Sequence, residues 1–361
     1  MSISLFDSTT LGDLTLKNRI VMAPMTRGRA GDSRIANDLM AEHYAQRAEA
    51  GLLITEATVI STAGIGWIGS PGIYTAEMAD GWRRVTSRVL PTGSHIFLQL
   101  WHCGRASHPD FHQGRPPVSA SAVPIEGDGI RTPLGKKPYE APRPLDEAEI
   151  AATVQDFRQA ALYAREAGFS GVEVHGANGY LINQFLDSKS NRRTDRYGGS
   201  PANKYRFLGE VLAAVLEVWP AQRVGVRLSP NGVFNDMGHP DFRETYLHVI
   251  KELARLQLGY VHIMDGLGFG FHGQGEPMTL AEFRAHYPGT IIGNCGYSKE
   301  DAERRLMAGE LDLAAFGRPF ITNPDLVTRL REGLALAPWD DMSTWYTPGP
   351  QGYTDYPRFG A

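Results

Sequence analysis

Gly171-Val172-Glu173-Val174-His175-Gly176-Ala177-Asn178-Gly179-Tyr180 opens as a short β-strand and closes as a cluster of neutral hydrogen-bonding side chains. The apolar run stops at Val174, and an imidazole, a carboxamide and a phenol follow in close succession. The same form, an apolar run with polar or glycine residues at its C-terminal end, recurs along the chain. The strand candidates are Ile20–Ala23, Leu52–Ala57, Ile96–Leu100, Val172–Val174, Val224–Leu228, Tyr260–Ile263, Thr290–Gly293 and Leu313–Phe316. Each is near-continuously apolar, as parallel strands buried on both faces should be.

Amphipathic segments with readable ends lie between these runs. Asp146 with Glu149 forms a capping-box pattern before Ile150–Ala167, and Gly168 is the C′ stop. Ser200-Pro201 supplies an N-cap and an N1 proline for a helix reaching Val218. Ser298 with Asp301 opens another helix, which Gly309 closes. Asp38–Ala50, Gly81–Leu90, Arg243–Leu256, Leu280–His286 and Pro324–Leu334 fill the remaining crossovers.

Eight strands, each followed by a helix, predict an α/β fold: a (β/α)8 TIM barrel in one domain over residues 1–361. A dinucleotide-binding open sheet is disfavoured because no G-x-G-x-x-G turn follows the first strand. Residues 107–144, after the third strand, are rich in Pro, Gly and Ser and too long for an idle connection. They are expected to form a capping excursion over the active face, and residues 338–361 an irregular tail.

Bulk properties narrow the partners. Lys plus Arg number 36 against 40 Asp plus Glu, so the net charge of −4 offers no general attraction to nucleic acid or an anionic membrane. Cys103 and Cys295 are far apart and form no C-x-x-C pair, which argues against a disulfide scaffold or a metal site. Met1–Asp7 lacks the basic and apolar regions of a signal peptide. No window approaches the ~18 apolar residues of a membrane span. A soluble, cytoplasmic protein is expected, as a monomer or homodimer, acting on small molecules.

Val172–Leu186, and the continuation Asp187-Ser188-Lys189-Ser190-Asn191-Arg192-Arg193-Thr194-Asp195-Arg196-Tyr197-Gly198-Gly199-Ser200, resemble the Old Yellow Enzyme family of FMN-dependent ene-reductases. Within it, the chain is similar to the bacterial group containing pentaerythritol tetranitrate reductase, morphinone reductase and the xenobiotic reductases. The resemblance runs from Asn18-Arg19 to Tyr356-Pro357. It implies FMN across the barrel mouth and NADPH or NADH as hydride donor. The implied substrates are activated alkenes (α,β-unsaturated carbonyls, nitroalkenes, maleimides), reduced by ping-pong hydride transfer, with nitrate esters or nitroaromatics as further acceptors.

In that reading His175 and Asn178 hold the substrate's oxygen, and Tyr180 delivers the proton. Thr26 hydrogen-bonds the flavin O4 edge, with Pro24 and Met25 against the ring; the alternative is a threonine that caps backbone. Ala57 is small where a flat ring must approach the chain. Gln99 carries a donor and an acceptor together, which suits the N3–H and O2 edge, although a buried glutamine can equally bond backbone.

Arg227 is a charge at the end of an apolar strand, placed to favour a reduced flavin that is negative near N1; a salt bridge would explain it as well. Asn294, Gly296 and Gly317 lie in glycine-containing loops after the last two strands, where Arg318 adds a positive charge for a phosphate. No adenine-binding element is visible, so FMN is preferred to FAD. Trp101, Trp67 and Tyr353 are carried over as pocket walls, although the last two fit the core equally well. His102 is read as structural, and the glycine-rich loop Asp265–Pro277 matches no pattern. The competing readings are a different FMN barrel oxidoreductase, or a barrel that binds flavin or a phosphorylated ligand without turnover.

Overall fold

Eight parallel strands close on themselves in the order in which they occur along the chain. They are β1 (Ile20–Met22), β2 (Leu52–Ile54), β3 (His95–Trp101), β4 (Gly171–Gly176), β5 (Val224–Leu228), β6 (Tyr260–Met264), β7 (Ile291–Asn294) and β8 (Leu313–Phe316). Closure is made where Ala315 of β8 pairs with Val21 of β1. The (β/α)8 TIM barrel expected from the alternating runs is therefore the architecture. The computed structural model describes residues 3–360; Met1 and Ser2 of the N-terminal stretch, and Ala361, lie outside the described residues.

The helices around the barrel are α1 (Asp38–Gln46), α2 (Ala76–Val89), α3 (Glu147–Glu166), α4 (Pro201–Leu216), α5 (Phe242–Arg255), α6 (Leu280–Arg284), α7 (Lys299–Met307) and α8 (Leu326–Glu332). Both halves of the Asp146–Glu149 capping box are made, and Gly168 takes a left-handed φ of 81° just beyond α3. Helix α3 buries Ile150, Val154, Phe157, Ala160 and Ala164 against the strands. Each large apolar side chain so buried contributes about 1.5–3 kcal/mol. Helix α2 differs from expectation: it starts at Ala76, capped by Thr75, well before Gly81. A Cβ on Gly81 would stand 2.6 Å from the Ala36 carbonyl oxygen, so this glycine permits a close approach inside the helix and does not mark its start.

The two ends of the barrel are closed differently. At the N-terminal end an antiparallel hairpin, Thr9–Leu11 with Leu14–Leu16, inserts Leu11, Leu14 and Leu16 among Val21, Leu52, Ile54, Phe97 and Leu313. At the C-terminal end lies the excursion 107–144. Within it Ile130–Thr132 and Gly135–Lys137 form a hairpin, and Val118–Ser119 pairs in parallel with Arg143–Pro144. Phe111, Ile125 and Tyr139 from this segment pack in one cluster with Trp101 and Tyr180. Among the described residues, no helix is long and apolar enough to cross a membrane, and no His, Cys, Asp or Glu cluster could hold a metal ion.

Candidate active site

His175 ends the buried face of β4, and its ring orientation follows from one backbone contact. The Ala177 N–H donates to His175 Nδ1 at 3.3 Å, so the ring proton resides on Nε2, which has no protein partner among the described residues. Burial pushes the imidazole pKa well below its ordinary value, and Arg227 and His262 add to the shift. His175 is thus a neutral donor.

Three residues on, Asn178 sits in the left-handed region with φ of 58°, a conformation asparagine tolerates. Its N–H donates to Ser229 Oγ at 2.8 Å, and its carbonyl accepts from Asn235 Nδ2 at 2.8 Å. Both backbone groups are engaged, while the side-chain carboxamide makes no hydrogen bond to the described residues. Tyr180 stands edge-on to two rings, with centroids 4.9 Å from Trp101 and 5.0 Å from His175. Burial raises its phenol pKa well above the ordinary value, so it keeps its proton until a strongly basic acceptor is presented.

Ala57, Trp101 and Tyr180 share one apolar cluster, with Trp67 packed against it. The structure therefore brings together His175, Asn178, Tyr180, Trp101, Trp67 and Ala57. His102 faces away from this chemistry: its Nδ1 accepts from the Gly104 N–H at 3.0 Å, and burial lowers its pKa to about 3.

Arg227 adjoins His175 across β4 and β5. Its Nη2 donates to Asn294 Oδ1 at 2.7 Å, but Nε is buried without a partner, and the guanidinium forms no ion pair among the described residues. An unpaired buried charge is costly, and an anionic group at the mouth would satisfy it. The salt-bridge alternative is not what the side chain does. Asn294 Nδ2 donates to the Ala315 carbonyl at 2.8 Å, so this carboxamide is used up in holding Arg227 to β8.

Gln99 donates from Nε2 to Glu173 Oε1 at 2.7 Å, which leaves its side-chain oxygen and second amide hydrogen without a partner among the described residues. The Thr26 hydroxyl has none either, so it does not cap backbone. Its loop is held by Glu56, whose Oε2 accepts from the Arg27 and Gly28 N–H groups at 3.1 Å each. Pro24 is buried and Met25 half-buried, with Met25 Sδ 3.6 Å from where a Gly317 Cβ would be. Gly296 has a left-handed φ of 79° with open space around it. Arg318 is exposed, its guanidinium 4.8 Å over the ring of Phe269 from the glycine-rich loop.

An aromatic, partnerless-donor edge, an unpaired arginine and open glycine loops suit a flat, hydrogen-bonding, anionic ring carrying a phosphate. FMN has those properties.

Tyr353 departs from the expected set. It is fully buried in the main core, its ring stacked 3.9 Å over His43 and flanked by the guanidiniums of Arg27 and Arg29. It is a core residue, because the tail runs inward at that point. The tail aromatic that reaches the mouth is Tyr346, whose ring lies 5.6 Å from that of Trp67. Three residues escaped sequence reading: Glu56, Glu173 and His262. All are fully buried polar groups in or beside strands, and their cost in an apolar run was the available signal.

Comparison with known proteins shows the family and the fold. A model of the NADH:flavin oxidoreductase / NADH oxidase family matches residues 4–337. 12-oxophytodienoate reductase 7 of Oryza sativa subsp. japonica is 41% identical, over 99% of this chain and 95% of that protein. The structure of an Old Yellow Enzyme homologue from Zymomonas mobilis superposes with a TM-score of 0.94 at 40% identity, covering 98% of this chain and 99% of that one. Morphinone reductase in complex with tetrahydroNAD gives a TM-score of 0.92 at 41% identity, covering 99% and 98%.

Proposed function

The chain belongs to the NADH:flavin oxidoreductase / NADH oxidase family, and from that premise we propose how the mouth of its barrel works. It is an FMN-dependent alkene reductase of the Old Yellow Enzyme type that uses a nicotinamide as reductant.

Gln99 and Arg227 hold the pyrimidine edge of the flavin, Thr26 its O4 side, and Pro24, Met25 and Ala57 its faces. Asn294 contributes by fixing Arg227, and Gly296, Gly317 and Arg318 receive the phosphate. The chemistry that the cofactor supplies when bound is hydride transfer, from NADPH or NADH to the β-carbon of the alkene. His175 Nε2–H and the Asn178 carboxamide converge on the substrate's carbonyl or nitro oxygen and draw electron density from the double bond. A donor of this kind contributes about 3 kcal/mol to transition-state stabilisation. Tyr180 gives its proton to the α-carbon, an act a weak phenol performs because the enolate is a strong base. Trp67, Trp101 and Tyr346 wall the pocket, which nicotinamide and alkene occupy in turn.

The substrates are enones, enals, maleimides and nitroalkenes, with nitrate esters or nitroaromatics as further acceptors. We place the protein in the cytoplasm, in keeping with two buried free thiols. The observation that carries this reading is the pair of partnerless donors, Nε2 of neutral His175 and the Asn178 carboxamide, beside the Tyr180 phenol. Mixing the purified yellow protein anaerobically with NADPH or NADH should bleach it, and adding 2-cyclohexenone should restore the colour. A protein that stays yellow with both nucleotides, or stays bleached with the enone, rules the reading out.

A further inference from the structure

Behind the mouth lies a set of buried polar side chains that the proposed chemistry does not use. Glu173, in the middle of β4, is fully buried. Its Oε1 accepts from Gln99 Nε2 at 2.7 Å, and its Oε2 accepts from His262 Nδ1 at 2.9 Å. One partner comes from the adjacent strand and the other from two strands away. Gln99 is directly opposite Glu173 in the β3–β4 register, and His262 is opposite Arg227 in the β5–β6 register. A carboxylate in such a place would ordinarily be protonated or absent. Burial does push its pKa up, but His262 and Arg227, with the hydrogen bond from Gln99, outweigh that and hold it below the ordinary value. Burial keeps the His262 imidazole pKa low, so that ring is a neutral donor. The interior therefore holds one negative charge on Glu173 and one positive charge on Arg227, without a direct ion pair between them.

We infer that Glu173, held by His262, is a positioning residue for the flavin site: it fixes the Gln99 carboxamide and sets the strength of the Arg227 field at the cofactor. This rests on the assignment of Gln99 and Arg227 to the flavin. The first effect is steric and directional. With one amide hydrogen committed to Glu173, the Gln99 carboxamide cannot flip, so its oxygen is presented as an acceptor. The second effect is electrostatic. A reduced flavin gains negative charge, which Arg227 favours and Glu173 opposes. The carboxylate thus keeps the potential from rising so far that the reduced enzyme would be reluctant to reduce an alkene.

The test is a potentiometric titration of FMN-saturated protein, followed by absorbance, on wild type, Glu173→Gln and Glu173→Asp. Glu173→Gln leaves Arg227 unopposed and should raise the preference for reduced over oxidised flavin by about tenfold, the low end of what a neighbouring charge does to a buried equilibrium. For a two-electron couple that is a rise of about 30 mV. Glu173→Asp keeps the charge and should stay near wild type. A role in folding alone would lower thermal stability in both variants and leave both potentials unmoved.

An unchanged potential in Glu173→Gln, or an equal rise in Glu173→Asp, overturns the inference. Should Glu173→Gln fail to fold, His262→Phe reports the same property. Without its donor the buried carboxylate takes up a proton, and the potential should rise likewise; no change there counts against the inference. Arg227→Gln tests the underlying assignment separately: it should lower the potential, and a value unmoved from wild type there removes Arg227 from the flavin, which separates that failure from this one.

Discussion

The two ends of this barrel are built from the same strands and differ in what they leave unpaired. At the N-terminal end, Leu11, Leu14 and Leu16 drop into an apolar layer, and the charged tip of their hairpin is answered by the ion pair of Asp13 with Arg223. At the C-terminal end, polar side chains remain without partners among the described residues: Nε of Arg227, Nε1 of Trp101, Nε2 of His175, the Asn178 carboxamide and the Thr26 hydroxyl. Of these, Arg227 Nε and Trp101 Nε1 are buried, and a buried polar atom left unsatisfied costs about 1–3 kcal/mol. The sealed end also holds unpartnered buried atoms, Arg19 Nε and Tyr260 Oη, but they lie under an apolar plug, whereas those of the other end gather at the mouth where a ligand can meet them.

Mutations should break this contrast in proportion. Replacing both His175 and Asn178 with alanine should have the largest effect. With each donor contributing about 3 kcal/mol, kcat/KM for alkene reduction should fall by about ten-thousandfold. Steady-state kinetics that stay within tenfold of wild type would displace the donor pair. Leu16→Ala, at the sealed end, should lower unfolding stability by about 3 kcal/mol while the visible spectrum of the flavin is unchanged. A spectrum that moves with it would mean the ends are not independent.

Tyr180→Phe should slow alkene reduction about a hundredfold and leave bleaching by NADPH or NADH intact. Stopped-flow traces slowed equally in both half-reactions would remove Tyr180 as the acid. Arg318→Ala should weaken FMN binding only about tenfold, since its exposed charge is screened by solvent. Full affinity on adding FMN back to apoprotein would move the phosphate elsewhere. The smallest effect concerns pH. Because the folded-state pKa of His175 is depressed, the ring stays neutral at and above the ordinary histidine pKa of about 6.5, so alkene reduction should be flat between about pH 6 and 8. A step in that window belonging to His175 would mean that the ring works as imidazolium.

Much of the scaffold could be read from neighbours in the chain. Strands β5 and β8 have the bounds that their apolar runs suggest, and α3, α4 and α7 begin at the caps read from Asp146, Ser200 and Ser298. Gly81 misled because a helix-interior glycine required by a carbonyl 45 residues away resembles a helix boundary in the sequence. Tyr353 and Tyr346 are the same kind of residue on one irregular tail, and nothing local distinguishes the one under His43 from the one beside Trp67.

The sequence alone therefore determined the barrel, the places of its eight strands and the residue types at its mouth. Periodicity, capping and strand polarity depend on residues close together in the chain. Only the tertiary structure decided which polar groups are free and which are spent. Arg227 is tied to Asn294, Gln99 to Glu173 and Glu173 to His262, each across a strand boundary. Hydrogen-bond satisfaction is settled by partners far apart in sequence, and barrel closure is what brings them within reach.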